Sequence, residues 1–294
     1  MKHNKALGQI SFLIKLLTDR DEFVRNRVQE QLIDLGEDAL PFLEIAVRGG
    51  DDDLRIQANA VIHSILPQKL AEKFRQLAQK GLGQDIDLET GMMLIMEFGY
   101  PNSDPEEFRQ KLDELAQNFA DILNPEAEPP EIVAAFTHFL FQQKGFKGNK
   151  DDYQNPDNSF LNKVLDNQTG LPITLSAICV LLAKRLHLPI VGVGMPGHYI
   201  VKYSLPIEPI YFDPFHQGRL LTKKECIQIV EQFGHSFEEH FLSQATQRET
   251  LIRMLNNLIQ VYKKSNETKK AETLTKYIKI LLNPSKDQQS ERIH

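Results

Sequence analysis

Two residues stand out for the chemistry their types and spacing allow. His198 opens the alternating segment His198–Tyr203, just after the turn Met195-Pro196-Gly197, and Asp213 closes the short apolar run Ile210–Phe212. If these segments are strands paired through the Pro206–Pro209 break, the two side chains come within hydrogen-bond reach. Such a pair either handles a proton or acts as structural glue. Nearby hydroxyls are Thr174 and Ser176, at the start of an apolar helix; as nucleophiles they would need a positioned base. Cys179 lies two turns into that helix, where burial raises a thiol's pKa. Cys226 follows the helix-capping box Thr222-Lys223-Lys224-Glu225. Both thiols are expected to be packing residues. Asn158 ends the polar segment Gly145–Asn158 and Ser159 follows it; the two are read either as turn and capping residues or as binding residues that close over the same cleft, and Tyr199, on the other side of its strand from His198, is a third binding candidate. His216 adds a weak His–Asp–His signal, and no metal or cofactor is expected.

The elements that must position these residues are legible from periodicity. Ile173–Leu186 is apolar on nearly all sides and reads as a buried helix, with Pro172 in its first turn. Ile190–Val193, His198–Tyr203 and Ile210–Phe212 read as three strands. Ahead of them, Leu88–Phe98, Pro105–Leu123 and Ile132–Gln142 carry helical stripes. The first 80 residues are also helical, with Val24, Val28, Leu32 and Leu35 on one face. Gly36 interrupts, and Gly49-Gly50 is expected to stop the next helix through a left-handed turn. Val24-Arg25 recurs as Leu54-Arg55 thirty residues on, which looks like a short HEAT-type array of two units. Near the C-terminus, Leu255, Leu258, Tyr262 and Ala271 sit at TPR spacing, with Pro284 as the closing proline and a frayed tail from Ser285.

Four stretches agree in order and spacing: Gly170-Leu171-Pro172-Ile173-Thr174-Leu175-Ser176, Arg185-Leu186-His187-Leu188-Pro189, Gly192–Val201 with its Pro196-Gly197-His198-Tyr199, and Phe212-Asp213-Pro214-Phe215. With the lead-in Asn155–Leu165, they resemble the transglutaminase-like superfamily, and more narrowly the bacterial SirB family, over about residues 85–284. The resemblance implies a papain-like core in which a Cys opens the helix, a His on a strand takes its proton and an Asp fixes the imidazole. His198 and Asp213 match the last two roles. The place of the nucleophile falls at or near Pro172, which has none.

The chain has 294 residues, 41% hydrophobic and 25% charged, with a net charge of −6. That composition suits a globular protein with a sizeable core and excludes a coiled-coil rod or a disordered chain. No basic footprint argues for nucleic acid. No 18-residue apolar run argues for a membrane span, and two lone cysteines fit the reducing cytoplasm. Phosphate-cradling glycine motifs and Cys-x-x-Cys pairs are absent.

The expected fold class is α+β. A transglutaminase-like core with a small antiparallel sheet (residues 85–245) lies between HEAT-like helices (1–80) and a TPR-like hairpin and tail (246–294). The expected function is a transglutaminase-like protein without its nucleophilic Cys, acting as an interaction or regulatory module on a protein or peptide partner. The alternative is a hydrolase or acyl-transfer enzyme using His198 and Asp213 with Thr174, Ser176 or water.

Overall fold

The computed structural model describes residues 2–283. Pro284 and the tail from Ser285 lie outside the described residues. In chain order the helices begin with α1 (Lys2–Lys15), α2 (Glu22–Leu35), α3 (Leu40–Gly49) and α4 (Asp52–Lys80). They continue with α5 (Leu88–Gly99), α6 (Pro105–Ala120) and α7 (Pro129–Thr137), which runs on into a π-helical segment, His138–Gln143. Two short strands, β1 (Lys147–Gly148) and β2 (Thr169–Gly170), bracket α8 (Leu161–Asn167). Then come α9 (Pro172–Leu186) and the strands β3 (Ile190–Met195), β4 (His198–Tyr203), β5 (Ile210–Asp213) and β6 (Arg219–Leu221). Helices α10 (Lys223–Gln232), α11 (Gln247–Lys264) and α12 (Thr268–Leu282) complete the order.

The contacts group these elements into two compact units. One runs to Lys73 and takes in Glu97–Asn102; the other comprises Phe74–Met96 and the chain from Ser103 onward. In the first unit, apolar stripes of α1 to α4 meet in one core that includes Leu17, Leu32, Leu43 and Ile62. Asp21 caps α2 by accepting from the Phe23 amide. Two details differ from the sequence reading. The left-handed residue is Gly36, at φ +56°, whereas Gly50 is extended. Gly50 is required for another reason: a Cβ there would press on the Ala46 carbonyl. The second half of the 30-residue repeat is one 29-residue helix that runs through Pro67, not a helix pair.

In the second unit, β3-β4-β5-β6 form an antiparallel sheet in sequence order. β6 was missed from sequence because it has three residues, only one of them buried. The ladder pairs Val193 with Ile200 and Val201 with Phe212. Continuing that register by one residue sets Asp213 opposite Ile200 and diagonal to His198, on the same face. That face also carries Val193, Met195, Ile200 and Tyr211, which pack with Cys226 and Val230 of α10. Helix α9 packs on β3 and β4, and α11 packs on α9 and α12. Phe74 stacks on Tyr277 of α12 with ring centroids 4.7 Å apart. No helix among the described residues is long and apolar enough to cross a membrane.

The β3–β4 turn fixes where His198 starts. Gly197 sits at φ +75°, and a Cβ there would run into the Phe233 ring. Gly197→Ala is therefore expected to cost about 1–3 kcal/mol through backbone strain alone. Urea unfolding checks this, and a variant as stable as the wild type would show that the turn is not under this constraint.

Candidate functional site

The diagonal pair closes as its register demands. His198 Nε2 lies 2.7 Å from Asp213 Oδ2. Both residues are buried, at 8% and 2% exposure. The carboxylate is shared: His216 Nδ1 also lies 2.7 Å from Oδ2, and the amides of Phe215 and His216 donate to Oδ1 at 2.9 and 3.3 Å. These last two bonds arise because Asp213 caps the short turn Pro214–His216 that follows β5. Burial alone would raise the Asp213 carboxyl pKa. The hydrogen bonds and charge of His198 and then His216 outweigh it, so the carboxyl titrates below its usual value. An ionised carboxylate only accepts hydrogen bonds, so each histidine donates its N–H to Oδ2.

Two elements brace His198. Phe215 lies edge-on to its ring, with centroids 6.4 Å apart. Arg253 of α11 reaches under the β3–β4 turn and donates to the carbonyls of Met195 (2.7 Å) and His198 (2.9 Å). Its guanidinium also lies over the Tyr199 ring. Burial lowers the Arg253 pKa, opposed by the nearby Tyr199 and Tyr153 hydroxyls.

The pair opens onto a cleft of about 640 Å³. Its walls come from four places: Tyr153 on the loop after β1, Pro172 at the start of α9, Phe215 to Leu221 around β6, and Glu225 to Gln232 of α10 with Phe233 just after it. Tyr153 packs edge-on against Phe215, and Arg219 forms an ion pair with Glu225. Pro172 reaches the cleft because β2 pairs in parallel with β1 and the Leu171 amide donates to the Asn158 carbonyl (3.2 Å). Gly148 of β1 lies flat against the Phe215 ring, where a side chain would not fit.

Several residues singled out from sequence do not reach this cleft. Thr174 and Ser176 are fully buried; the Ser176 hydroxyl approaches the Tyr199 carbonyl at 3.5 Å, and the Thr174 hydroxyl has no partner in the protein. That absence of a Thr174 partner holds among the described residues, and both side chains face the interior because α9 is covered on nearly all sides. The partner of the His198 ring is a carboxylate, not a hydroxyl. Asn158 is 3% exposed and ties its loop together: its amide donates to the Asp152 carbonyl (2.7 Å), and its oxygen accepts from Asn149 (2.9 Å). Ser159 is buried beside it.

Tyr199 does not line the cleft either. Tyr199 points to the opposite face of β4, and its hydroxyl donates to Thr250 Oγ1 at 2.6 Å. Thr250 in turn donates to the Thr246 carbonyl. Burial pushes the Tyr199 hydroxyl up to about 12 despite that bond. Both cysteines are sealed in packing positions. Burial pushes the Cys179 thiol far up, and burial with the Glu225 and Asp213 charges pushes Cys226 up to about 12. Tyr153, Phe233 and Arg253 were not found from sequence. They come from a loop and two other helices, and nothing local marks them.

The family comparison matches the model described as "Transglutaminase-like superfamily" over residues 106–256. That span holds the cleft, the sheet and most of α11. Among curated proteins, the chain is 33% identical over 198 residues to a "UPF0162 protein" of Xylella fastidiosa (strain 9a5c), covering 64% of this chain and 69% of that one. It is 25% identical over 142 residues to a "UPF0162 protein" of Haemophilus influenzae, covering 47% and 53%. It is 30% identical over 142 residues to "F-box only protein 21" of Homo sapiens, covering 46% of this chain and 22% of that protein. No solved structure matches.

Asp213→Asn tests the shared carboxylate. Losing the charge is expected to cost about 1.5–3 kcal/mol at neutral pH. The folded pKa lies below the unfolded one, near 3.9. The stabilisation is thus complete above about pH 4 and disappears as pH falls through the folded value. Stability curves of wild type and variant should converge in acid, and a gap that widens there would contradict the assignment.

Proposed function

The chain belongs to the transglutaminase-like superfamily, and we propose that it acts as a binding module of that family, whose cleft accepts a segment of a partner protein. The observation that carries this reading is Pro172. It stands in the cleft wall with His198 and Asp213, at the helix start where a thiol would gain from the helix dipole. Both thiols of the chain are buried elsewhere, with raised pKa values. The cleft volume suits a ligand site, with an apolar shelf from Phe215, Ile229 and Phe233 beside the polar His198, His216, Arg219 and Glu225. The finer reading is a SirB-type protein of the cytoplasm, with HEAT-like spacing in the first 80 residues and TPR-like spacing in α11 and α12. Helical faces of those kinds commonly bind peptides.

A second reading keeps a specific observation on its side. The His198–Asp213 pair is intact and opens onto the cleft, an arrangement that activates water in a hydrolase. Activity-based labelling with acyl-donor, thiol-directed and serine-directed probes separates the two. The wild type is expected to show no labelling that depends on His198. Pro172→Cys is expected to gain alkylation that falls by at least about tenfold when His198→Ala is added. His198-dependent labelling of the wild type at Thr174 or Ser176, or His198-dependent hydrolysis of ester probes, would overturn the binding reading.

A further inference from the structure

Three donor atoms converge at the cleft floor. One ligand atom from each of His198, Asp213 and His216 lies within 4.8 Å of the others, and His198 Nε2 and His216 Nδ1 are each 2.7 Å from Asp213 Oδ2. Two imidazoles and a carboxylate form the donor set of open zinc sites, in which water or a ligand takes the remaining place. The same set serves other borderline divalent ions.

Composition alone would not make this a site, but three features of the structure add to it. Oδ1 of Asp213 is held by the Phe215 and His216 amides, so the chain itself aims the other oxygen at the two rings. Metal-binding carboxylates are oriented in this way by neighbours that do not touch the ion. All three residues line the cleft, so a remaining coordination place would face open space. Pro172, which also lines the cleft, brings no donor of its own.

We propose that His198, Asp213 and His216 bind one divalent transition-metal ion of the zinc class at the floor of the cleft. Bond lengths of about 2.0–2.2 Å in tetrahedral geometry set neighbouring donors about 3.3 Å apart. Both nitrogens now lie 2.7 Å from Oδ2, so each ring withdraws by about 0.6 Å to admit the ion. The His216 side chain is 46% exposed and has room to turn; the His198 ring shifts against Phe215. Each ring must present a bare nitrogen. In a neutral ring the hydrogen on that atom moves to the other ring nitrogen; a doubly protonated ring instead releases one proton to solvent. The ion is detectable without any partner, so this inference stands or falls apart from the binding reading.

The test is titration of the untagged full chain with Zn²⁺ alone, followed by calorimetry, with Co²⁺ absorption as a second readout. The expected result is one Zn²⁺ per chain and a tetrahedral Co²⁺ band. His216→Ala should weaken Zn²⁺ binding by at least about tenfold, remove the band and leave the circular dichroism spectrum unchanged. His240→Ala, an exposed histidine outside the cluster, should bind as the wild type does. No saturable Zn²⁺ binding, or binding by His216→Ala equal to the wild type, would overturn the proposal.

Discussion

One buried carboxylate organises the cleft. Asp213 accepts four hydrogen bonds, two from backbone amides on Oδ1 and two from imidazoles on Oδ2. An isolated carboxylate at 2% exposure would be driven toward its neutral form. Here the two imidazoles reverse that, and the charge they favour keeps both rings in place. The carboxylate is also where three levels of structure meet. Strand register puts it diagonal to His198, the capping turn brings His216 round to it, and the Phe215 ring between them packs on Gly148 of β1.

Neighbouring elements hold this arrangement in place. Arg253 clamps the turn from which His198 emerges, and α9 begins at the cleft with a proline. The buried charged network is the costly part of the site. Breaking such a network singly leaves unsatisfied polar groups, whereas losing an exposed thiol costs little. On the binding reading proposed above, that asymmetry is why the His–Asp pair is retained with no thiol beside it. The same cleft carries the two imidazoles and the carboxylate of the proposed metal site.

Much of the fold was legible in the sequence because each element obeyed a local rule. The apolar run Ile173–Leu186, the alternation of His198–Tyr203 and the capping box at Thr222 appear as α9, β4 and the start of α10. The His198–Asp213 contact was legible too, since it follows from pairing two adjacent strands. That Tyr199, Asn158 and Ser159 stand apart from the cleft was less legible, for a physical reason. Alternation separates the faces of a strand but does not say what covers them, and both faces of β4 are buried. A polar loop such as Gly145–Asn158 can likewise bury its own polar groups, as Asn158 does with Asp152 and Asn149. His216 gave only a weak signal, because its role depends on a tight turn whose geometry no spacing rule encodes.

The most direct measurement of the shared carboxylate is long-range proton–nitrogen NMR of the histidine rings in the metal-free chain at neutral pH. Asp213 faces Nε2 of one ring and Nδ1 of the other, so the two should be fixed in opposite tautomers. The expected result is a proton on Nε2 of His198 and on Nδ1 of His216, with both signatures lost in Asp213→Asn. Rings that exchange freely between tautomers in the wild type, or that are unchanged by Asp213→Asn, would contradict the central role given to this carboxylate.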